Sequence, residues 1–214
     1  RYEAVTDLLL IDANSRRNLE LTRSINEQSP QNSLLSIIDY CNTAMGHREL
    51  IRWIQKPLRD QLRVQQRHHA VSSLLANHEY ESLAEQLNAI GDIERILARI
   101  ALLSARPRDL TTLGTTLQLL PQLQQQLATL DSPLLQQLAG QISTHPGVVA
   151  LLDAAIIDEP PLLIRDGGVI KTGFDPELDE LRALSSNADQ FLIDLETQEQ
   201  QKTGINSLKV AYNR

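Results

Sequence analysis

The sequence predicts a mainly α-helical protein with an irregular multi-helix core, a small β-hairpin and one long lever helix. Apolar residues make up 42% of the 214 positions, yet only 3% are aromatic, and leucine supplies most of the apolar content. Sandwiches and barrels usually depend on aromatic and β-branched side chains, so this composition favours helices. Apolar residues also recur at spacings of three and four through most of the chain, which is the helical period.

The predicted long helix spans residues 175–203. Asp175 suits the N-cap, Pro176 suits the first turn, and the acidic residues that follow suit the positive end of the helix dipole. A single apolar seam follows: Leu178, Leu181, Leu184, Ala188, Phe191 and Leu195. Beyond the seam the helix is polar until Gly204, a typical stop. The pattern predicts a lever whose base is seated by Asp175, Pro176, Leu178, Leu181 and Leu184.

Shorter helices are predicted ahead of the lever. They cover residues 13–18, 34–40, 44–56, 61–76, 81–90, 92–103, 107–120, 132–143 and 146–157. In the second of these, Leu34, Ile37 and Ile38 are expected to face inward. Pro121 is expected to end or kink the helix that begins near Pro107, because proline lacks an N–H donor.

Extended structure is predicted in three places. The apolar run at residues 8–11 suggests a short buried strand. Residues 162–164 and 169–170 flank an Asp-Gly-Gly turn, so they predict a small hairpin that braces the lever between Arg165 and Lys171. Residues 208–212 alternate apolar and polar side chains and predict a final strand.

Charge and cysteine content limit the possible functions. The net charge of −7 lies in the second half, since residues 1–110 hold 14 basic and 14 acidic residues whereas 111–214 hold 6 and 13. This acidic excess argues against nucleic-acid binding by this chain alone. The single cysteine, Cys41, excludes an internal disulfide and fits a reducing compartment. Without a long apolar run or a leader pattern, the sequence predicts a cytoplasmic protein with no membrane partner.

No catalytic pattern is found in the sequence. A phosphate-binding loop, a dinucleotide fingerprint and a nucleophile elbow are all missing, so the chain itself is expected not to be an enzyme and to hold no cofactor. The five histidines, His47, His68, His69, His78 and His145, include no pair spaced four apart, and solvated or capping roles are favoured over a metal site. A small metal-dependent enzyme remains an alternative that bound metal would support.

Two basic stripes are the remaining candidate site. Arg48, Arg52 and Lys56 recur at four-residue spacing on one predicted helix, and Arg59, Arg63 and Arg67 do so on the next. Two such stripes suit contact with phosphates. The alternative is a solvated face with local ion pairs, and the sequence shows no interleaved aromatic side chains for stacking on bases.

Several long segments resemble the core, or lever, domain of the DNA mismatch repair protein MutS. Their order and spacing match as well, so the resemblance covers essentially the whole chain. The one notable departure is His47, where the family commonly has serine. The matching segments are IDANSRRNLEL at 11–21, NTAMGHRELIRWIQKPLRD at 42–60, GDIERILARIALLSARPRDL at 91–110, IIDEPPLLIRDGGVIKTGFDPELDELRAL at 156–184 and TGINSLKVAYN at 203–213.

The resemblance implies a role in transmission of motion rather than in chemistry. In MutS proteins the long helix rises from the core to a clamp over the DNA, and an ATPase that uses ATP and Mg²⁺ follows. The full-length proteins are DNA-dependent ATPases that form homodimers, bind mismatched duplex DNA and work with a MutL-type partner. No catalytic, nucleotide-binding or mismatch-reading residue of the family carries over to this chain.

The resemblance also implies that the chain is a fragment of a longer protein. Residues 1–205 are expected to form the core and lever domain, and 206–214 the first strand of a truncated clamp. A lever without its returning helix is expected to leave an apolar stripe uncovered, which favours self-association. The alternative from another class is a free-standing helical module that binds partner proteins, and it predicts a reading frame without a clamp or an ATPase.

Overall fold

A computed structural model describes residues 7–26, 29–205 and 207–209, and leaves the side chains of residues 77, 186–189 and 191 undescribed. Within those residues the chain is mainly helical, as predicted. The α-helices are α1 Ala13–Asn18, α2 Leu34–Ile38, α3 Ala44–Gln55, α4 Gln61–Leu75, α5 Glu79–Asn88, α6 Ile93–Ala101, α7 Pro107–Thr129, α8 Pro133–Gln141, α9 Pro146–Ala155 and α10 Pro176–Thr203.

Side-chain caps explain where most of these helices begin. Each capping residue accepts a hydrogen bond from a backbone N–H of the first turn, which would otherwise lack a partner. The Ser33 cap is reciprocal, because the Ser36 hydroxyl also accepts from the Ser33 N–H at 3.1 Å. The capping residues are Asp12, Ser33, Thr43, Asp60, Asp92, Ser132 and Asp175.

The helix α7 is the centre of the core, and it does not end at Pro121. It runs unbroken for 23 residues with Pro121 inside it. Pro121 is exposed, whereas Leu117 and Leu123 on either side are buried. Packing of those leucines outweighs the lost hydrogen bond, so the helix continues past the proline instead of ending there. A kink at Pro121 stays a prediction.

Two apolar clusters lie along α7. The C-terminal half of α7 packs with α4, α5 and α8 around Ala70, Leu83, Leu123, Leu130 and Leu135. The N-terminal half packs with α6 and α9 around Ile96, Leu113 and Leu117. Both clusters consist of aliphatic side chains, in agreement with the leucine-rich composition.

The short helix α2 presents a different face to the core from the one predicted. Leu34, Ile37 and Ile38 are exposed, whereas Leu35 is only 6% exposed. The Leu34 and Leu35 N–H groups bond to the carbonyls of Glu20 and Leu21 at 3.0 Å, which fixes the rotation of the helix. A five-residue helix has too few turns for its apolar spacing to determine that rotation.

No strand is found in the described part of the chain, so the predicted hairpin and the N-terminal strand are not confirmed. Leu8 forms a single antiparallel bridge to Leu58, and Ile170 forms one to Ile156. Residues Ile164–Asp166 form a 3₁₀ helix instead of a strand. Val169 and Ile170 pair with Ile156 and Ile157, which directly follow α9, so they are not available to residues 162–164.

The long helix α10 has the predicted cap and the predicted end. Asp175 is its N-cap, Pro176 is its first residue, and Gly204 follows it with φ at 70°. Its 28 residues correspond to a length of about 42 Å. None of the helices in the described ranges combines the length and the hydropathy that a membrane span requires. Most of the predicted final strand lies outside the described residues.

Candidate functional site: the base of the long helix

The first turn of α10 is fixed by its cap. The Asp175 Oδ1 atom accepts hydrogen bonds from the N–H groups of Glu177 at 3.0 Å and Leu178 at 3.2 Å. Pro176 occupies the first helical position, where its missing N–H costs nothing. Two of the five predicted seating residues therefore define the start of the helix.

Two further side chains tie the base of α10 to the preceding loop. The Asp179 Oδ2 atom accepts from the Gly173 N–H at 2.6 Å, and its Oδ1 atom accepts from Arg182 at 3.1 Å. The second terminal nitrogen of Arg182 donates to the Ile170 carbonyl at 2.9 Å. Arg182 thus joins the helix to the residue that forms the bridge.

The bridge continues this connection to α9 and the core. The Lys171 N–H donates to the Ala155 carbonyl at 2.8 Å, and the Ile157 N–H donates to the Val169 carbonyl at 3.0 Å. The Lys171 ammonium also donates to the Asp153 carbonyl at 2.8 Å and pairs with Asp158 at 3.2 Å. A continuous set of polar contacts therefore leads from α9 through the bridge to α10.

Glycines allow the loop between the bridge and the 3₁₀ helix to turn sharply. Gly167 and Gly168 have φ of 73° and 68°, and Gly173, at the entry to α10, has φ of 89°. All three values lie in the left-handed region, which favours glycine. A side chain at Gly173 would strain the backbone whose N–H bonds to Asp179.

The apolar seam of α10 is largely uncovered. Leu181 is 58% exposed and Leu184 is 59% exposed, while Leu178 is half-buried. The side chains of Ala188 and Phe191 lie outside the described set. The seating role of Asp175, Pro176, Leu178, Leu181 and Leu184 stays a prediction, and in this chain the base is held by polar contacts.

Arg48, in the first basic stripe, is engaged by acidic residues of α6. Its terminal nitrogens bond to both carboxylate oxygens of Asp92, at 2.7 and 2.9 Å, and it also pairs with Glu94. This Arg48 hydrogen bond lowers the pKa of Asp92 below its usual value. Arg48 therefore links α3 to the start of α6.

The rest of the two stripes lies where α3 and α4 meet. The Arg52 guanidinium pairs with Glu49 at 3.1 Å, and the Arg67 guanidinium stacks on the Trp53 ring with 3.6 Å to its centroid. Lys56 and Arg59 are exposed, and Arg63 is half-buried. Contact of the stripes with phosphate stays a prediction, and these distances identify Lys56 and Arg59 as its best-placed residues.

No group of three or more potential metal ligands occurs among the described residues. His47 Nδ1 lies against the Asp39 carboxylate, so this histidine has a local partner. Burial, followed by the nearby Asp39 carboxylate, raises the pKa of the Cys41 thiol. That thiol therefore stays protonated at neutral pH and is a poor metal ligand or nucleophile.

Three contributors to the base were missed from the sequence: Asp179, Arg182 and Lys171. The spacing of Asp179 and Arg182, three apart on one helix, was visible as a local pair. Their bonds to Gly173 and to the Ile170 carbonyl depend on how the loop folds back, and no sequence spacing encodes that.

A comparison with known protein families adds to this geometry. A family model described as MutS domain III matches residues 14–209 of the chain. The match includes the basic stripes, both core clusters, the bridge and the whole of α10.

Proposed function

We propose, since the chain belongs to the family of MutS domain III and is thus part of a DNA mismatch repair protein, that it is the lever that couples an ATPase to a DNA clamp. The observation that carries the proposal is the joint between α9 and α10. Coupling between distant sites requires an element with two discrete arrangements that both sites bias. A rigid helix on a small polar joint suits that role.

The length and composition of α10 support the proposal. A helix of about 42 Å spans more than the diameter of a small domain. Its base is tied to the core through Asp179, Arg182 and the Ile170 carbonyl. Its last two turns, residues 196–203, are polar and need no apolar partner.

The proposed partners follow from the proposal that this chain is one domain of a mismatch repair protein. They are an ATPase that binds ATP and Mg²⁺, a clamp that continues from residue 206, a second copy of the full-length protein, mismatched duplex DNA and a MutL-type protein. The proposed location is the cytoplasm. Within this arrangement residues 1–205 transmit force and carry out no catalysis or mismatch reading.

The test is made in the full-length protein. Leu181→Asp and Leu184→Asp place a charge on the seam, where both leucines are exposed in this chain. At concentrations where the 214-residue chain is monomeric, they should leave its stability within about 0.5 kcal/mol, as is usual for surface positions. In the full-length protein they should slow release of mismatched DNA on addition of ATP, measured by fluorescence anisotropy.

Gln201→Asp is the matched control, because it adds the same charge to an exposed position on the opposite side of α10. It should leave ATP-triggered release unchanged. Release at the wild-type rate in both leucine variants, with ATP binding intact, would contradict the lever.

A second role, phosphate contact, is favoured by the exposure of Lys56 and Arg59. In the full-length protein, Lys56→Gln and Arg59→Gln should each weaken DNA binding and reduce the slope of log affinity against log salt by about 1. Arg48→Gln should leave that slope unchanged, because Asp92 and Glu94 already hold its guanidinium. An unchanged salt dependence of DNA affinity in both Lys56→Gln and Arg59→Gln would contradict the proposed phosphate contact.

A further inference from the structure

A pocket of about 290 Å³ lies between α1, the loop that follows it and the end of α3. Three arginines line it: Arg16 and Arg17 from α1 and Arg23 from the loop. Ser24, 7% exposed, lies at the same wall. The other lining residues are Ala13, Thr22, Ile25 and Gln55.

The three arginines of this pocket have no acidic partner among the described residues. Elsewhere in the chain Arg48 is bound by Asp92, Arg99 by Asp109 at 2.6 Å, and Arg182 by Asp179. Arg16 is half-buried, whereas Arg17 and Arg23 are exposed, so solvent screens part of the repulsion between the three positive charges. An anion bound there would offset the repulsion that remains.

Among the described residues, the carboxylates of Asp12 and Glu20, which are near the arginines in the sequence, are engaged by other groups. Asp12 Oδ1 caps α1 through the N–H groups of Asn14 and Ser15, and its Oδ2 atom accepts from the Ser15 hydroxyl at 2.6 Å. The Glu20 carboxylate accepts from the Ile25 N–H at 2.6 Å. Both acidic side chains shape the backbone instead of neutralising the arginines.

The wall of the pocket is held by backbone hydrogen bonds. Residues 20 and 21 bond to the start of α2, where the Leu34 and Leu35 N–H groups donate at 3.0 Å. The Ser24 N–H donates to the Ser29 carbonyl at 2.8 Å, which closes the loop. The backbone that carries Arg23 is therefore fixed before any ligand arrives, which reduces the entropic cost of binding.

We propose that this pocket binds a compact, multiply charged phosphate group of the diphosphate kind that ends a nucleotide. Guanidinium groups match phosphate oxygens in two-pronged hydrogen bonds, and three of them balance several negative charges. A DNA duplex offers singly charged phosphates along an extended backbone, which fits a surface track better than a single local concavity. The site is separate from α10 and does not depend on the lever.

The test uses the 214-residue chain, labelled with ¹⁵N, and inorganic diphosphate as the probe. Diphosphate should shift the amide signals of residues 13–25 and of Gln55 in a saturable way. Arg16→Gln and Arg23→Gln should each weaken the affinity about tenfold or more, and Arg23→Lys should weaken it less, because lysine keeps the charge but loses the fork. Arg165→Gln, at an exposed arginine far along the chain, is the control and should change it less than twofold.

The same titration with a short DNA duplex distinguishes the source of the phosphate. Stronger shifts from diphosphate than from duplex at equal phosphate concentration support the assignment. Shifts in this region from duplex alone would overturn it in favour of a DNA contact. Absence of saturable diphosphate shifts in the wild-type chain would also overturn the proposal. So would a loss of diphosphate affinity in Arg165→Gln equal to that in Arg16→Gln and Arg23→Gln. The wild-type titration is a test by itself, even if a variant fails to fold.

Discussion

Gly91 shows how one residue fixes the contact between α6 and α7. Its N–H donates to the Thr116 Oγ1 atom at 3.0 Å, and Thr116 is fully buried. A Cβ atom at Gly91 would lie 2.3 Å from Thr112 Cγ2 and 3.3 Å from Thr116 Oγ1. Thr112 cannot rotate away freely, because its hydroxyl donates to the Arg108 carbonyl at 2.8 Å.

Gly91→Ala should therefore destabilise the chain by about 1–3 kcal/mol, the usual cost of an overpacked site. Urea unfolding measures the change. Gly140→Ala is the control, because a Cβ there meets nothing within 4 Å, and it should stabilise α8 by about 0.5–1 kcal/mol. Equal stability of the two variants would show that the α6–α7 contact is looser than described.

The pair of Arg48 and Asp92 joins α3 to α6 and makes stability depend on pH. The Arg48 hydrogen bond lowers the pKa of Asp92, so the unfolded chain binds the proton more readily than the folded chain does. The pair therefore stabilises the fold above the ordinary aspartate pKa of about 3.9. That contribution is lost as the pH falls through the lower pKa of the folded state.

Arg48→Gln should lower the unfolding temperature at pH 7, and its difference from the wild type should shrink as the pH falls below about 4. Differential scanning calorimetry at a series of pH values measures this. Arg52→Gln removes a charge that pairs with exposed Glu49 on the same helix and should have little effect. A difference for Arg48→Gln that is constant with pH would contradict the linkage.

At the scale of the element, α7 carries a proline in its interior and still serves both core clusters. Proline removes the hydrogen bond to the carbonyl four residues earlier, here that of Leu117, and crowds it. The helix persists because its buried residues on either side pack against α8 and α9. Gly114 faces α9, and a Cβ there would be in ordinary van der Waals contact with Leu152 Cβ at 3.6 Å.

Pro121→Ala should restore the missing hydrogen bond and stabilise the chain by about 1–3 kcal/mol, because Pro121 is exposed and packs little. Urea unfolding again provides the measurement. Gln122→Ala, at the next exposed position, controls for helix propensity and should change stability by a few tenths of a kcal/mol. A loss of stability in Pro121→Ala would mean that the ring itself is needed in the core.

Elements with strong local signals were predictable from the sequence. The caps at Asp12, Ser33, Asp60 and Asp175 each mark the start of a helix within a residue of its observed position. The errors occur where tertiary contacts decide. The predicted hairpin is not observed because Val169 and Ile170 bond to the residues at the end of α9. These partners are distant in sequence from the Asp-Gly-Gly turn on which the prediction rested.

The candidate site was predicted in part for the same reason. Asp175 and Pro176 were visible as a local start signal, so their positions were found. Arg182 and Lys171 act through carbonyl groups of Ile170 and Asp153, and any residue has a carbonyl. Such contacts leave no mark in the amino-acid pattern.

At the scale of the whole molecule, the uncovered seam of α10 predicts self-association of the 24.0 kDa chain. Leu181 and Leu184, two residues of that seam, are both more than half exposed. Sedimentation equilibrium should show dimers or larger species, and the double variant Leu181→Asp with Leu184→Asp should shift the chain to monomer. Gln201→Asp should leave the association unchanged. A wild-type monomer with α10 fully protected from hydrogen exchange would contradict this.

The polar joint at the base of α10 also has a thermodynamic consequence. None of the described side chains of this helix is buried, so a change in its tilt would alter little apolar accessible area. The heat-capacity change and the denaturant m value of a transition both scale with the surface area that the transition exposes. A swing of α10 would therefore be nearly silent in calorimetry and in denaturant titration, and only a probe of distance or orientation along the helix would register it.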